Sequence, residues 1–197
     1  MLTYNSLQDK AIINSLQDGL IGVIPTDTVY GLACSALHQN SVSRLYGLKN
    51  REAKPGTLLA SNVDQVIDLG IPRRYLKAVE HYWPNSISIV VPTVATLRYL
   101  DQGIGSLAIR IPDDYVVHKL LLSTGPLITT SANKPGKQPS ATISEAKAYF
   151  GDVVDFYVDG GDLSRRLSST IIRVVDDAVE VLRQGSIKIN EKGEIIQ

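Results

Sequence analysis

The sequence predicts a single-domain α/β protein built on a twisted mixed sheet with flanking helices. Three observations point there. Segments with helical and with strand periodicity mix along the whole chain. The middle and the end hold strand candidates joined without helices, which a strictly doubly wound sheet does not. No composition shift marks a linker among the 197 residues, and a chain of this length can bury one sizeable core. One domain over residues 1–189 is expected, followed by a polar tail at 190–197.

The elements follow in order. Ser6 and Asp9 form a loose capping box, Leu7, Ala11, Ile12 and Leu16 recur at helical spacing, and Gly19 can close that helix. The apolar run 20–24, ended by Pro25, suits a buried strand, and residues 41–48 read as helical. Residues 57–60 suggest a strand, after which Asn62 caps a helix carrying Val63, Val66 and Ile67. Pro72 can open a further helix that Trp83-Pro84 ends.

Two runs then alternate at period two. Ile87, Ile89 and Val91 share one face of 86–91, and Leu107, Ile109 and Ile111 share one face of 106–111. Arg110 projects the other way with Ala108. Residues 115–122 and 143–150 read as helices, and 127–130, 153–158, 169–175 and 179–182 as strands.

Composition excludes several classes. Apolar residues make up 44% and charged ones 20%, which rules out a wholly disordered chain. Twenty basic residues balance twenty acidic ones, so bulk charge alone does not hold this protein to nucleic acid, although a local basic groove is allowed. A single cysteine, Cys34, rules out an internal disulfide framework, and the three scattered histidines form no HExxH pair. The N-terminus lacks signal-peptide order and no run approaches 18 apolar residues, so a soluble, cytoplasmic protein without a membrane span is expected.

Three polar clusters sit where loops should leave strand ends. Residues 25–32, PTDTVYGL, hold two hydroxyls and a carboxylate suited to a small polar ligand; an ordinary helix-capping turn uses the same residue types. Residues 49–56, KNREAKPG, place three cations within six residues, fit either for a polyphosphate or for a solvated basic turn. Residues 129–136, TTSANKPG, offer hydroxyls and an amide for a carboxylate, a phosphate or a base edge, or for a self-bonded turn. Arg110 on its strand must find an anion or water, either a ligand carboxylate or an internal Asp or Glu. The GxGxxA of residues 103–108 leads into a strand instead of opening a helix, and is rejected as a dinucleotide fingerprint.

Taken together, PTDTVYGL (25–32), KNR (49–51), Trp83-Pro84, SLAIRIP (106–112), TSAN (130–133), SST (168–170) and LRQGSI (182–187) closely resemble the YrdC-like (TsaC) family. The resemblance runs over about residues 11–187, and its short members are threonylcarbamoyl-AMP synthases. It implies a reaction of L-threonine, bicarbonate and ATP, with Mg2+ on the phosphates. The product passes to downstream threonylcarbamoyl-transfer proteins that modify the adenosine beside the anticodon of certain tRNAs. By motif matching, Arg110 holds the threonine carboxylate, with Thr26, Thr28, Ser131 and Ser169 around its polar groups. Lys49, Arg51 and Lys54 face the triphosphate, and Thr129, Asn133 and Arg183 contact the nucleotide. Lys49, Arg51 and Arg110 are the expected catalytic residues, and no metal ligand on the protein is assigned.

The chain departs from the family pattern at four places: Glu52 after Arg51, Asn85-Ser86-Ile87-Ser88 after Trp83-Pro84, Asp114, and Pro135. The alternative is a non-catalytic RNA-binding protein of the same fold, resting on basic positions in 49–54, 134–137 and 165–166. A carbamoyl-transfer domain akin to those of hydrogenase maturation shares the fold, but this short chain lacks its flanking modules.

Overall fold

The computed structural model describes residues 2–50, 53–176 and 178–196. Along the chain run β1 (Leu2–Tyr4), α1 (Lys10–Gln17), β2 (Gly22–Pro25), β3 (Tyr30–Ser35), α2 (Gln39–Leu48), β4 (Thr57–Leu59) and α3 (Val63–Asp68). Then come β5 (Ile87–Pro92), α4 (Arg98–Asp101), β6 (Ser106–Arg110), α5 (Tyr115–Thr124), β7 (Leu127–Ser131) and α6 (Ile143–Phe150). The chain closes with β8 (Phe156–Val158), β9 (Thr170–Val175), β10 (Ala178–Arg183), β11 (Lys188–Ile189) and β12 (Ile195–Ile196).

Among the described residues, ten strands form one sheet in the order β1-β8-β2-β3-β7-β4-β6-β5-β9-β10. It is mixed, as expected: β4 runs parallel to β6 and β5 to β9, while β3–β7, β4–β7 and β5–β6 are antiparallel.

The helices start where capping chemistry allows. Asp9 accepts from Ala11 N at 2.9 Å to open α1, so the cap is Asp9 and not Ser6. Asn62 accepts from Gln65 N to open α3, and Asp114 accepts from Val116 N and Val117 N to open α5. The helix expected after Pro72 is instead two short 3-10 turns, Arg73–Tyr75 and Glu80–Tyr82.

The strands divide their side chains between two apolar layers. Val23, Leu32, Leu58, Ile128 and Tyr157 face a layer containing Val42 and Leu45 of α2, Val66 of α3 and Ala146 of α6. Their neighbours Ile24, Ala33, Leu59, Leu127, Phe156 and Val158 face a layer with Ile12 and Leu16 of α1 and Leu120 and Leu121 of α5. This second layer reaches only as far as β4. Beyond it, the same face of β6, β5 and β9 carries Ala108, Arg110, Ser88 and Ile171 in place of a helix-covered apolar surface, and there the cavity forms.

Five elements were absent from the sequence reading: β1, β3, α4, β11 and β12. All six residues of β3, YGLACS, are buried, so both of its faces are apolar and no period-two alternation marks it. The segment expected as a polar tail supplies β12, which pairs back on β11 as a hairpin. Asn190 Oδ1 accepts from Lys192 N and Glu194 N in its turn, and Tyr82 donates its hydroxyl to Gly193 O at 2.6 Å.

Candidate active site

A cavity of about 150 Å3 opens on that uncovered face. Its walls are threonine and serine side chains from several strands, with Arg110 and Arg183 as the charges. Thr57, Ala108 and Thr129 stand in register across β4, β6 and β7 and form one row of its floor. Gly56 lets the backbone close that floor, because a Cβ there would sit 2.4 Å from Thr129 O. On the far side Gly185 packs on the chain at Ser168 and Ser169, where a Cβ would sit 2.2 Å from Ser168 O.

Arg110 ends β6 with its side chain almost wholly buried. Its Nη2 donates to Asp27 Oδ1 at 2.9 Å and to Thr28 Oγ1 at 3.4 Å, and its Nη1 donates to Ser88 Oγ at 3.3 Å. Asp27 Oδ2 in turn accepts from Ser86 Oγ at 2.9 Å. The internal carboxylate that sequence alone left open is therefore present, yet it does not saturate the arginine. Arg110 Nε is buried with no hydrogen-bond partner among the described residues, and Arg110 belongs to the cavity wall. An unpaired buried donor is costly, so this edge of the guanidinium marks a place for a ligand oxygen atom.

The 25–32 segment does what a local turn does and more. Thr26 Oγ1 donates to Val29 O at 2.7 Å and accepts from Thr28 N, which makes the loop rigid. Both threonines are buried and line the cavity. Arg166 Nη1 donates to Thr26 O at 2.7 Å and pins the loop from outside.

Of the residues singled out in sequence, the structure brings Thr26, Thr28, Arg110, Thr129, Ser131, Ser169 and Arg183 to one wall or another of this cavity. Lys49 and Asn133 meet elsewhere. Lys49 is buried at the end of α2, and its Nζ donates to Ser131 O and Asn133 Oδ1, each at 2.9 Å, and to Asn133 O. Asn133 Oδ1 also accepts from Ser131 Oγ at 2.7 Å, and its amide donates to Lys137 O at 2.6 Å. The pair thus braces the turn after β7, beside the wall that Ser131 contributes. Lys54 is exposed next to the wall residues Pro55 and Gly56. Arg51 and the departure at Glu52 lie outside the described residues.

Sequence reasoning missed Asp27 as the partner of Arg110, and it named Ser88 only as a departure from the family pattern and not as a contact of Arg110. Ser88 carried a signal of its own, an alternating polar position inside an apolar strand. Among the described residues no group of three His, Cys, Asp or Glu side chains is arranged to hold a metal ion. Burial pushes the Cys34 thiol up to about 12, the pattern of an inert core residue and not of a nucleophile. No helix of the described residues is long and apolar enough to cross a membrane.

The Sua5/YciO/YrdC family model, described as "Telomere recombination", matches residues 14–185. A threonylcarbamoyl-AMP synthase of Escherichia coli O1:K1 / APEC is 34% identical over 193 residues, covering 92% of this chain and 99% of the relative. The threonylcarbamoyl-AMP synthase of Pyrococcus abyssi is 29% identical over 187 residues, covering 92% of this chain and 55% of the relative. Among solved structures, P. abyssi Sua5 complexed with L-threonine matches with a TM-score of 0.81 at 25% identity, over 95% of this chain and 58% of that one. Escherichia coli YciO matches with a TM-score of 0.80 at 20% identity over 97% of both chains, a likeness of fold.

Proposed function

Because the chain belongs to the Sua5/YciO/YrdC family, we propose that it is an L-threonylcarbamoyladenylate synthase, a nucleotidyltransferase acting on L-threonine, bicarbonate and ATP. The threonine nitrogen attacks the bicarbonate carbon and water leaves, giving a carbamate. A carbamate oxygen then attacks the α-phosphorus of ATP, the bond to the β-phosphate oxygen breaks, and pyrophosphate departs. Magnesium enters as part of the nucleotide substrate, carried on its phosphates.

The observation that carries this reading is the unsatisfied edge of Arg110. A guanidinium whose Nε–H is buried and unpaired beside a hydroxyl-lined cavity is prepared for a carboxylate. Ser169 adds a hydroxyl to the same cavity. A cavity of about 150 Å3 suits an amino acid and not a whole nucleotide, so ATP extends outward past Arg183, with Lys54 and Arg51 as further candidates for its phosphates. The chain's contribution is to position two substrates and neutralise their charge, which suffices for in-line displacement at phosphorus. No covalent enzyme intermediate is needed.

The product is expected to pass to threonylcarbamoyl-transfer proteins that act on tRNA. A purely RNA-binding role draws less support. Of its basic positions, Lys49 is buried with its ammonium held against the turn after β7, and Arg166 is tied to Thr26 O. The test is pyrophosphate release with threonine, bicarbonate and ATP each omitted in turn, and the adenylate trapped for mass spectrometry. Threonylcarbamoyl-adenylate only in the complete mixture is the expected result. Its absence, together with tight RNA binding that falls steeply with salt, would move the RNA-binding role to the front.

A further inference from the structure

Ser88 lies inside β5 with no exposed surface, between two guanidinium groups. Arg110 Nη1 donates to its Oγ at 3.3 Å, and its hydroxyl donates to Ser169 Oγ at 2.9 Å. Arg183 reaches the same Ser169 Oγ from the other side, with Nη2 at 3.2 Å, while Nε and Nη2 hold Ser169 O at 3.1 and 2.8 Å.

A guanidinium only donates and keeps its charge at every working pH. Both ends of this four-residue chain are therefore donors pointing inward. The two serines hold two hydroxyl protons, and one bond joins them, so one proton must leave the chain. Were Ser169 to donate to Ser88, the Ser88 proton would need an acceptor in a fully buried strand, and no further partner of its hydroxyl is found among the described residues. Ser88 therefore donates to Ser169, and the surplus proton leaves from Ser169, a residue of the cavity wall.

We propose that Ser88 is a positioning residue that sets the direction of this relay. Ser169 is thereby restricted to donating to a ligand oxygen, and occupancy near Arg110 is coupled to occupancy near Arg183. The identities of the two ligands, threonine and ATP, rest on the synthase reading. When a carboxylate or phosphate oxygen accepts from Ser169, the Ser169 oxygen becomes a better acceptor for Ser88 and for Arg183. Ser88 becomes a better acceptor for Arg110 in the same way. The first ligand thus holds both arginines for the second.

Calorimetry on the full chain measures this, titrating L-threonine with and without α,β-methylene-ATP. Threonine is expected to bind about fivefold tighter or more when the nucleotide analogue is bound. Ser88→Ala should reduce that ratio to about one, and Ser88→Thr, which keeps the hydroxyl, should preserve it. Wild-type coupling in Ser88→Ala overturns the relay. So does independent binding of the two ligands to the wild type while adenylate still forms, a result that leaves the synthase reading standing. Failure of the wild type to bind either ligand or to form adenylate overturns both. Should Ser88→Ala not fold, a crystal structure of the wild type with threonine decides. An acceptor oxygen of the ligand within hydrogen-bond reach of Ser169 Oγ sustains the relay, and a ligand N–H donor there overturns it.

Discussion

Asp27 Oδ1 and Arg110 Nη2 meet at 2.9 Å with their side chains only 3% and 6% exposed, although β2 and β6 have three strands between them in the sheet. The loop after β2 therefore crosses the end of the sheet to deliver one carboxylate. That contact ties the stability of the fold to the geometry of the site. Asp27→Ala leaves a buried guanidinium without its counter-charge, and urea unfolding should show a loss of about 3–5 kcal/mol.

Arg110→Ala tests the other end of the same pair. A charged hydrogen bond to a carboxylate contributes about 1.5–3 kcal/mol. The expected drop in kcat/KM for threonine is therefore roughly 10- to 150-fold. Undiminished turnover would remove Arg110 from the site.

Lys49 has a structural signature that a phosphate contact alone would not give. Its ammonium is buried against two carbonyls and one amide oxygen of the turn after β7. Lys49→Met should lower stability by about 2–4 kcal/mol, because those acceptors lose a charged donor. Denaturant midpoints and the KM for ATP, measured together, separate this bracing from direct contact with ATP. A variant of unchanged stability and reduced ATP affinity would place the lysine on the phosphates.

Gly56→Ala pushes a methyl group to within 2.4 Å of Thr129 O, a backbone atom that cannot swing aside. The cost expected from overpacking is about 1–3 kcal/mol. Threonine KM should rise with it, since both residues belong to the cavity wall. Gly47→Ala, at a helical position with nothing within 4 Å, is the control and should leave stability unchanged or raise it by up to about 1 kcal/mol.

Asp155 makes part of the stability pH-dependent. Burial raises its pKa, but the hydrogen bond from Arg44 and the one from Ile21 N favour the charged form, and the net value lies below the usual carboxylate range. A carboxyl group depressed in the folded state contributes fully above its unfolded value of about 3.9, and the contribution is lost as the pH falls through the folded value. Asp155→Asn should cost about 1 kcal/mol at pH 7, a modest figure because the Arg44 side chain is 43% exposed. The difference between the two proteins should shrink as the pH falls below the unfolded value of about 3.9, as urea unfolding across that range will show.

Much of this was legible from local pattern. The alternation in 106–111 placed Leu107, Ile109 and Ile111 in the core and turned Arg110 away from it, and the structure keeps that division. Asn62 caps its helix as its residue type and position predict. Where both faces of a strand are covered, as in β3, alternation vanishes and the strand could not be read.

Sequence by itself determined the mixed α/β class, the family resemblance and the set of polar residues, because periodicity, capping and motif spacing act over a few residues. Tertiary structure alone decided which of those residues meet. Asp27 finds Arg110 across 83 positions, and Lys49 turns inward to Asn133 across 84. Ser88 joins Ser169 across 81. Each pairing depends on strand order and register, which arise from the packing of two apolar layers on one sheet. The cavity exists because the second layer ends at β4, and no short stretch of sequence records where a layer ends.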